Sequence, residues 1–152
     1  MRIHGFIGFY RAPETQNHSQ SWNCLRHILQ KFSLPWICAG DFNEITRSHE
    51  KASGRLRPYR QMQDFQDVLD ECGFSDLGFM GNKFTWSKHY PDGYMVWERL
   101  GRALSTNAWL TMFPASKVFH LECRSSYHKP IVIHPKEFLF ENKNHGASGK
   151  FG

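Results

Sequence analysis

The sequence predicts a mixed α/β (α+β) fold in one domain. Segments with helical apolar spacing alternate with short β-prone apolar runs. The 152 residues are 40% apolar, with Phe 13 and Trp 5, enough large side chains to fill one core. No internal repeat, low-complexity segment or linker divides the chain in two.

Each element has its own local reason. Residues 3–10 read as the first strand. Across residues 19–32, Trp22, Leu25, Ile28, Leu29 and Phe32 recur on one helical face. Residues 36–40 form the next strand: Trp36, Ile37 and Cys38 make the kind of run that is buried on both faces, and Gly40 frees the backbone to turn sharply at its end. Residues 61–72 form the second helix, with Met62, Phe65, Val68, Leu69 and Cys72 at helical spacing and Gly73 where a C-cap glycine stands. There follow a short segment at Leu77, a strand at 83–87, a turn at 89–93, a strand at 96–100, a short helix near 106–112, and strands around 117–121 and 131–134. Residues 1–136 make up the domain, and 137–152 read as a polar linker or disordered tail.

Composition narrows the class further. No apolar stretch reaches membrane-spanning length and Met1-Arg2-Ile3-His4-Gly5 is too short and polar for a secretory signal, so an intracellular location is expected, a nuclear one included. Cys24, Cys38, Cys72 and Cys123 lack paired spacing, which favours buried free thiols over disulfides or structural zinc. The net charge of +5 is compatible with a nucleic-acid partner. Its distribution is more pointed: Arg47, Lys51, Arg55, Arg57 and Arg60 cluster in a turn-rich stretch with Ser53, Gly54 and Pro58. Such a loop either lays its cations along a phosphate backbone or faces solvent.

The stretch from Leu34 to Glu44, LPWICAGDFNE, carries the chemistry. A buried strand ending in Asp41 and Asn43 presents a carboxylate that can orient and deprotonate a water, beside an amide that can donate to a phosphate oxygen without adding charge. The same residues also suit an Asx-type turn in which both bond only to local backbone.

Gly40-Asp41-Phe42-Asn43-Glu44 resembles the GDFN signature of the endonuclease/exonuclease/phosphatase family, and its surroundings are similar to the endonuclease domain of plant LINE-type retrotransposons. Further blocks match in order: Gly8-Phe9-Tyr10-Arg11-Ala12-Pro13-Glu14, Arg55-Leu56-Arg57-Pro58, Phe84-Thr85-Trp86-Ser87, Glu98-Arg99-Leu100-Gly101-Arg102-Ala103-Leu104, Ser126-Tyr127-His128-Lys129-Pro130, and Phe138-Leu139-Phe140-Glu141-Asn142, which resembles the segment leading into a reverse transcriptase. The resemblance implies a four-layered α/β sandwich of two mixed sheets flanked by helices. It also implies Mg²⁺-dependent hydrolysis of DNA, with Asp41 positioning the water and Asn43, Tyr10 and His128 binding the phosphoryl group.

The departures from the family pattern are as specific as the matches. Tyr127 stands where the family has the Asp of Ser-Asp-His, and Gly101 where it has the Asp of the RLD block. The earlier strands, with an Asn and a metal-binding Glu, are expected to be missing. The chain is therefore expected to be a truncated, degenerate member that holds no Mg²⁺ and turns over nothing, or a non-catalytic nucleic-acid-binding remnant. Truncation also predicts unpaired sheet edges and self-association. Glu44 is expected to point toward the basic loop, Ser126 and Pro130 to be structural, and Trp86 and Trp97 to be core rather than stacking platforms.

Overall fold

The computed structural model describes residues 3–11 and 18–137. Ala12, Pro13 and Glu14 of the first matching block, the block at 138–142 and the expected tail from 138 onward lie outside them. Thirteen elements of the expected kinds give a mixed α/β architecture with several sheets and few helices, in the order β1 (Gly5–Tyr10), α1 (His18–Lys31), β2 (Trp36–Asp41), a 3₁₀ turn (Ser48–Glu50), β3 (Lys51–Ala52), α2 (Tyr59–Cys72), β4 (Phe74–Asp76), β5 (Trp86–His89), β6 (Met95–Glu98), β7 (Gly101–Thr106), α3 (Asn107–Met112), β8 (Lys117–His120) and β9 (Ile131–His134). Among the described residues no helix is long and apolar enough to cross a membrane.

Three sheets form among the described residues, with strand orders β1-β2-β7-β4, β3-β6-β5 and β8-β9. Only the first is mixed: β1 runs parallel to β2, and the other pairings between these strands are antiparallel. Strand alternation sends Ile7, Phe9, Trp36, Cys38 and Leu104 to one face, where α1 and α2 cover them with Trp22, Leu25, Phe65, Val68 and Leu69. The opposite face is lined by Ala39 and Ala103, against which Val118, Ile131 and Ile133 of the β8-β9 hairpin pack. Small residues on that face let the hairpin approach closely.

Both major helices form where their apolar period lies, with shifts at the ends. Phe32 falls beyond α1 and is largely exposed, so it leaves the expected stripe. The second helix begins at Tyr59, two residues ahead of the expected start, behind Pro58. Gly73 closes it in the left-handed region (φ 66°), its N–H bonded to the Leu69 and Asp70 carbonyls.

The strands depart further from expectation than the helices. The strand expected at 83–87 runs instead from Trp86 to His89, and the one expected at 96–100 ends at Glu98. The chain then bends at Arg99-Leu100 and continues as β7, which was not expected as a strand although it is central to the main sheet. Trp86 and Trp97 are half-buried rather than core. Of the cysteines only Cys38 is buried, Cys24 being exposed. Burial and the neighbouring Cys72 push the Cys38 thiol up to about 12, which leaves it inert.

Candidate functional site

The end of β2 is built around Gly40, which is a strand residue and not the turn expected. Its φ of 147° and the Phe9 carbonyl across the β1 pairing explain the glycine: a Cβ here would lie 1.9 Å from that oxygen. Asp41 ends the strand, level with Tyr10 on β1 and Gly101 on β7. Phe42 then turns into the core, stacking on Phe9 and Phe65 at 4.8 and 5.4 Å between centroids. That buried ring anchors the turn on which Asp41 and Asn43 stand.

His128 is brought to the same point by the edge of β5. The Ser87 N–H donates to the Tyr127 carbonyl (3.0 Å) and the Lys129 N–H to the Thr85 carbonyl (2.7 Å), while the His128 N–H is bonded to Ser126 Oγ (3.1 Å), the structural role expected of that serine. The imidazole Nδ1 then lies 3.2 Å from Asp41 Oδ2, a close approach that lacks hydrogen-bond alignment. Tyr10, Gly40, Asp41, Gly101, His128, Lys129 and Ile131 line one cleft of about 320 Å³. Three of the four expected catalytic residues, Tyr10, Asp41 and His128, thus meet there. Gly101, Lys129 and Ile131 were not foreseen as its walls, although Lys129 adjoins His128 in sequence.

Asn43 is different. It adopts a left-handed φ of 48°, its N–H donates to Asp41 Oδ1 (2.8 Å), and its side-chain amide donates to the Arg11 carbonyl (2.8 Å). Of the two sequence readings, the local Asx turn describes this geometry. The amide expected to meet a phosphate is engaged with backbone instead.

The basic stretch divides in two. Glu44, fully buried, points toward it as expected, with Oε1 3.2 Å from Arg57 Nε and Oε2 3.5 Å from Arg11 Nη1. Arg57 also bonds Glu98 at 2.6 Å, and Lys51 Nζ sits 3.2 Å from the same carboxylate. Arg57 and Lys51 therefore neutralise buried carboxylates and are not free to follow a phosphate backbone. Arg47, Arg55 and Arg60 are exposed, with no ion-pair partner among the described residues. Burial holds the Arg11 guanidinium down to about 10 despite Glu44, and Trp22 stacks beneath it at 4.4 Å.

These donors do not fit a Mg²⁺ ion. Among the described residues Asp41 is the one carboxylate that lines the cleft; its Oδ1 accepts from Asn43 and its Oδ2 faces His128. The nearby Glu44 and Glu98 are tied to Arg and Lys. A small hard cation requires near-octahedral oxygen ligation that one partly engaged carboxylate does not organise. Among the described residues no group of three or more His, Cys, Asp or Glu is placed to hold a metal.

No protein-family model matches this chain, and no curated protein matches it in sequence.

Proposed function

We propose that this chain derives from the endonuclease/exonuclease/phosphatase class of metal-dependent phosphodiesterases. More particularly, we read it as a catalytically silent relative of the endonuclease domain that LINE-type retrotransposons carry ahead of a reverse transcriptase, with DNA-backbone binding as its remaining capacity. The observation that carries the reading is the meeting of Tyr10, Asp41 and His128, far apart in sequence and each in a family-like block, in one cleft at strand ends. On this reading the main sheet with its two helices corresponds to one half of a four-layered sandwich, and the smaller sheets to part of the other.

Silence follows from the donor set. Asp41 is the cleft's carboxylate among the described residues, with His128 Nδ1 3.2 Å from its Oδ2; Asn43 is bonded to backbone, and Gly101 and Tyr127 supply no carboxylate. Supercoiled plasmid incubated with the chain and Mg²⁺ is therefore expected to remain supercoiled on an agarose gel. Nicking that disappears both with EDTA and in Asp41→Ala would overturn the silent reading.

Binding follows from the exposed arginines. Each phosphate neutralised contributes about 0.9 to the slope of log affinity against log salt, so Arg55→Ala with Arg60→Ala should flatten that slope by roughly two units for a fluorescent duplex. Lys51→Ala should leave the slope unchanged, because its ammonium already serves Glu98. Binding undetectable at low salt, or a slope indifferent to the arginine pair, would reduce this loop to a solvated surface.

A further inference from the structure

Strand β1 is an open edge with an unusual composition. It pairs with β2 on one side and with no strand on the other among the described residues. Its sequence, GFIGFY, holds no charge and no proline, the devices that ordinarily protect an edge from pairing. Its backbone polarity can be assigned residue by residue. The Gly5 N–H reaches the Pro35 carbonyl (2.8 Å) and the Arg11 N–H reaches the Asp41 carbonyl (2.9 Å), so the odd-numbered residues turn their amides toward β2. Phe6, Gly8 and Tyr10 consequently turn their N–H and C=O groups to the open side. The same three residues are exposed, and the side chains of Phe6 and Tyr10 stand on the face away from the helices, 64% and 71% accessible.

We propose that this edge is a two-fold interface between copies of this chain, formed by antiparallel β1-β1 pairing with Gly8 on the axis. The inference does not depend on the nuclease reading. An antiparallel pair exchanges hydrogen bonds only between residues whose amides face each other, which restricts the pairing to Phe6, Gly8 and Tyr10. One register uses all three: Phe6 opposite Tyr10 of the copy, Gly8 opposite Gly8, and Tyr10 opposite Phe6. It brings two aromatic pairs together across the strands and sets Ile7 opposite Phe9 on the helix-covered face. The strand is thus complementary to itself, as a closed two-fold contact requires. The result is one continuous sheet with neither β1 edge left open.

At the exposures above, Phe6 and Tyr10 bare roughly 250–300 Å² of aromatic surface per chain. Counted on both chains, the two aromatics offer roughly 500–600 Å², to which the paired strand edges add, against the roughly 1,000 Å² that a specific interface needs.

Gly8 supplies the discriminating variant. A Cβ at Gly8 meets only the Phe6 ring of its own chain, at an ordinary 3.7 Å, so Gly8→Glu fits the free protein. Across the axis it would set two carboxylates about 5.5 Å apart on the backbone, a like-charge pair that opposes association. Leu56→Glu, at an exposed apolar residue far from β1 in sequence, controls for lost surface hydrophobicity. Sedimentation equilibrium on the full chain, up to about 100 μM, should give a dimer for the parent and for Leu56→Glu, and a weakening of at least about tenfold for Gly8→Glu with its thermal transition retained. A parent that is monomeric throughout would overturn the proposal. So would association that both glutamate variants reduce equally, or that Gly8→Glu leaves intact. If the parent precipitates, Gly8→Glu alone should restore a soluble monomer, and failure to do so overturns it equally.

Discussion

Replacing Glu50 by alanine is expected to destabilise the protein by about 3–5 kcal/mol, the cost of removing one partner from a buried ionic cluster. Glu50 is buried at the end of the 3₁₀ turn and accepts from Arg99 at 3.1 Å and from Arg102 at 2.8 Å. Asp76 bonds the same two guanidiniums at 2.9 and 3.0 Å. The Thr46 N–H and hydroxyl complete the Glu50 shell, at 2.8 and 3.0 Å. Without Glu50, two buried cations share one carboxylate, and a domain of this size has only about 5–15 kcal/mol of stability in total. Urea unfolding followed by circular dichroism reads the loss directly, and a shift below about 1 kcal/mol would contradict the expectation.

The same carboxylate predicts a direction with pH. Burial alone would raise the Glu50 carboxyl, but the Arg102 hydrogen bond and charge, the Thr46 N–H and Arg99 outweigh it and hold it down at about 2, against an ordinary 4.5. The unfolded chain therefore takes up the proton first on acidification. The contribution of this group is fully present above about pH 4.5 and is lost as pH falls from there toward 2. Glu50→Gln should flatten that part of the stability profile.

Phe65→Ala is expected to cost about 3–5 kcal/mol, the range for deleting a buried aromatic ring. Phe65 is inaccessible to solvent. It stacks on Trp22 at 4.8 Å and Phe42 at 5.4 Å, with the Arg102 guanidinium over its face at 5.4 Å. Removing it leaves a cavity and loosens Phe42, the ring that fixes the Asp41 turn. Phe65→Leu keeps most of the volume and should cost roughly 1.5 kcal/mol or less. Equal losses for the two variants in chemical denaturation would show that ring packing is not what holds this region.

Legibility in the sequence followed the kind of force involved. Helices α1 and α2 could be read because one face of each is buried and the other solvated, which writes a 3.6-residue period into Trp22, Leu25 and Ile28 and into Phe65, Val68 and Leu69. Strand β7 could not. Both of its faces are covered, so no alternation survives, and Arg102-Ala103-Leu104 is made of residues with no preference for strands. Arg102 is buried in that strand because carboxylates from distant parts of the chain, Glu50 and Asp76, meet its guanidinium.

By itself the sequence determined the mixed α/β class, the two main helices with the Gly73 cap, and the order of the motif blocks, since these depend on local backbone preference and on which side chains must leave water. Only the tertiary structure decided which polar groups remain free. The identity of Asn43, Lys51 or Arg57 is the same whether it meets a phosphate or a neighbour. Here Arg11, Glu98 and Glu44 occupy them, because a buried carbonyl or carboxylate must be paired by whatever donor the fold brings nearest. The meeting of Tyr10, Asp41 and His128 has the same origin. It depends on the parallel register of β1 with β2 and on the β5 edge that carries His128, pairings between residues too distant in the chain for any local pattern to record.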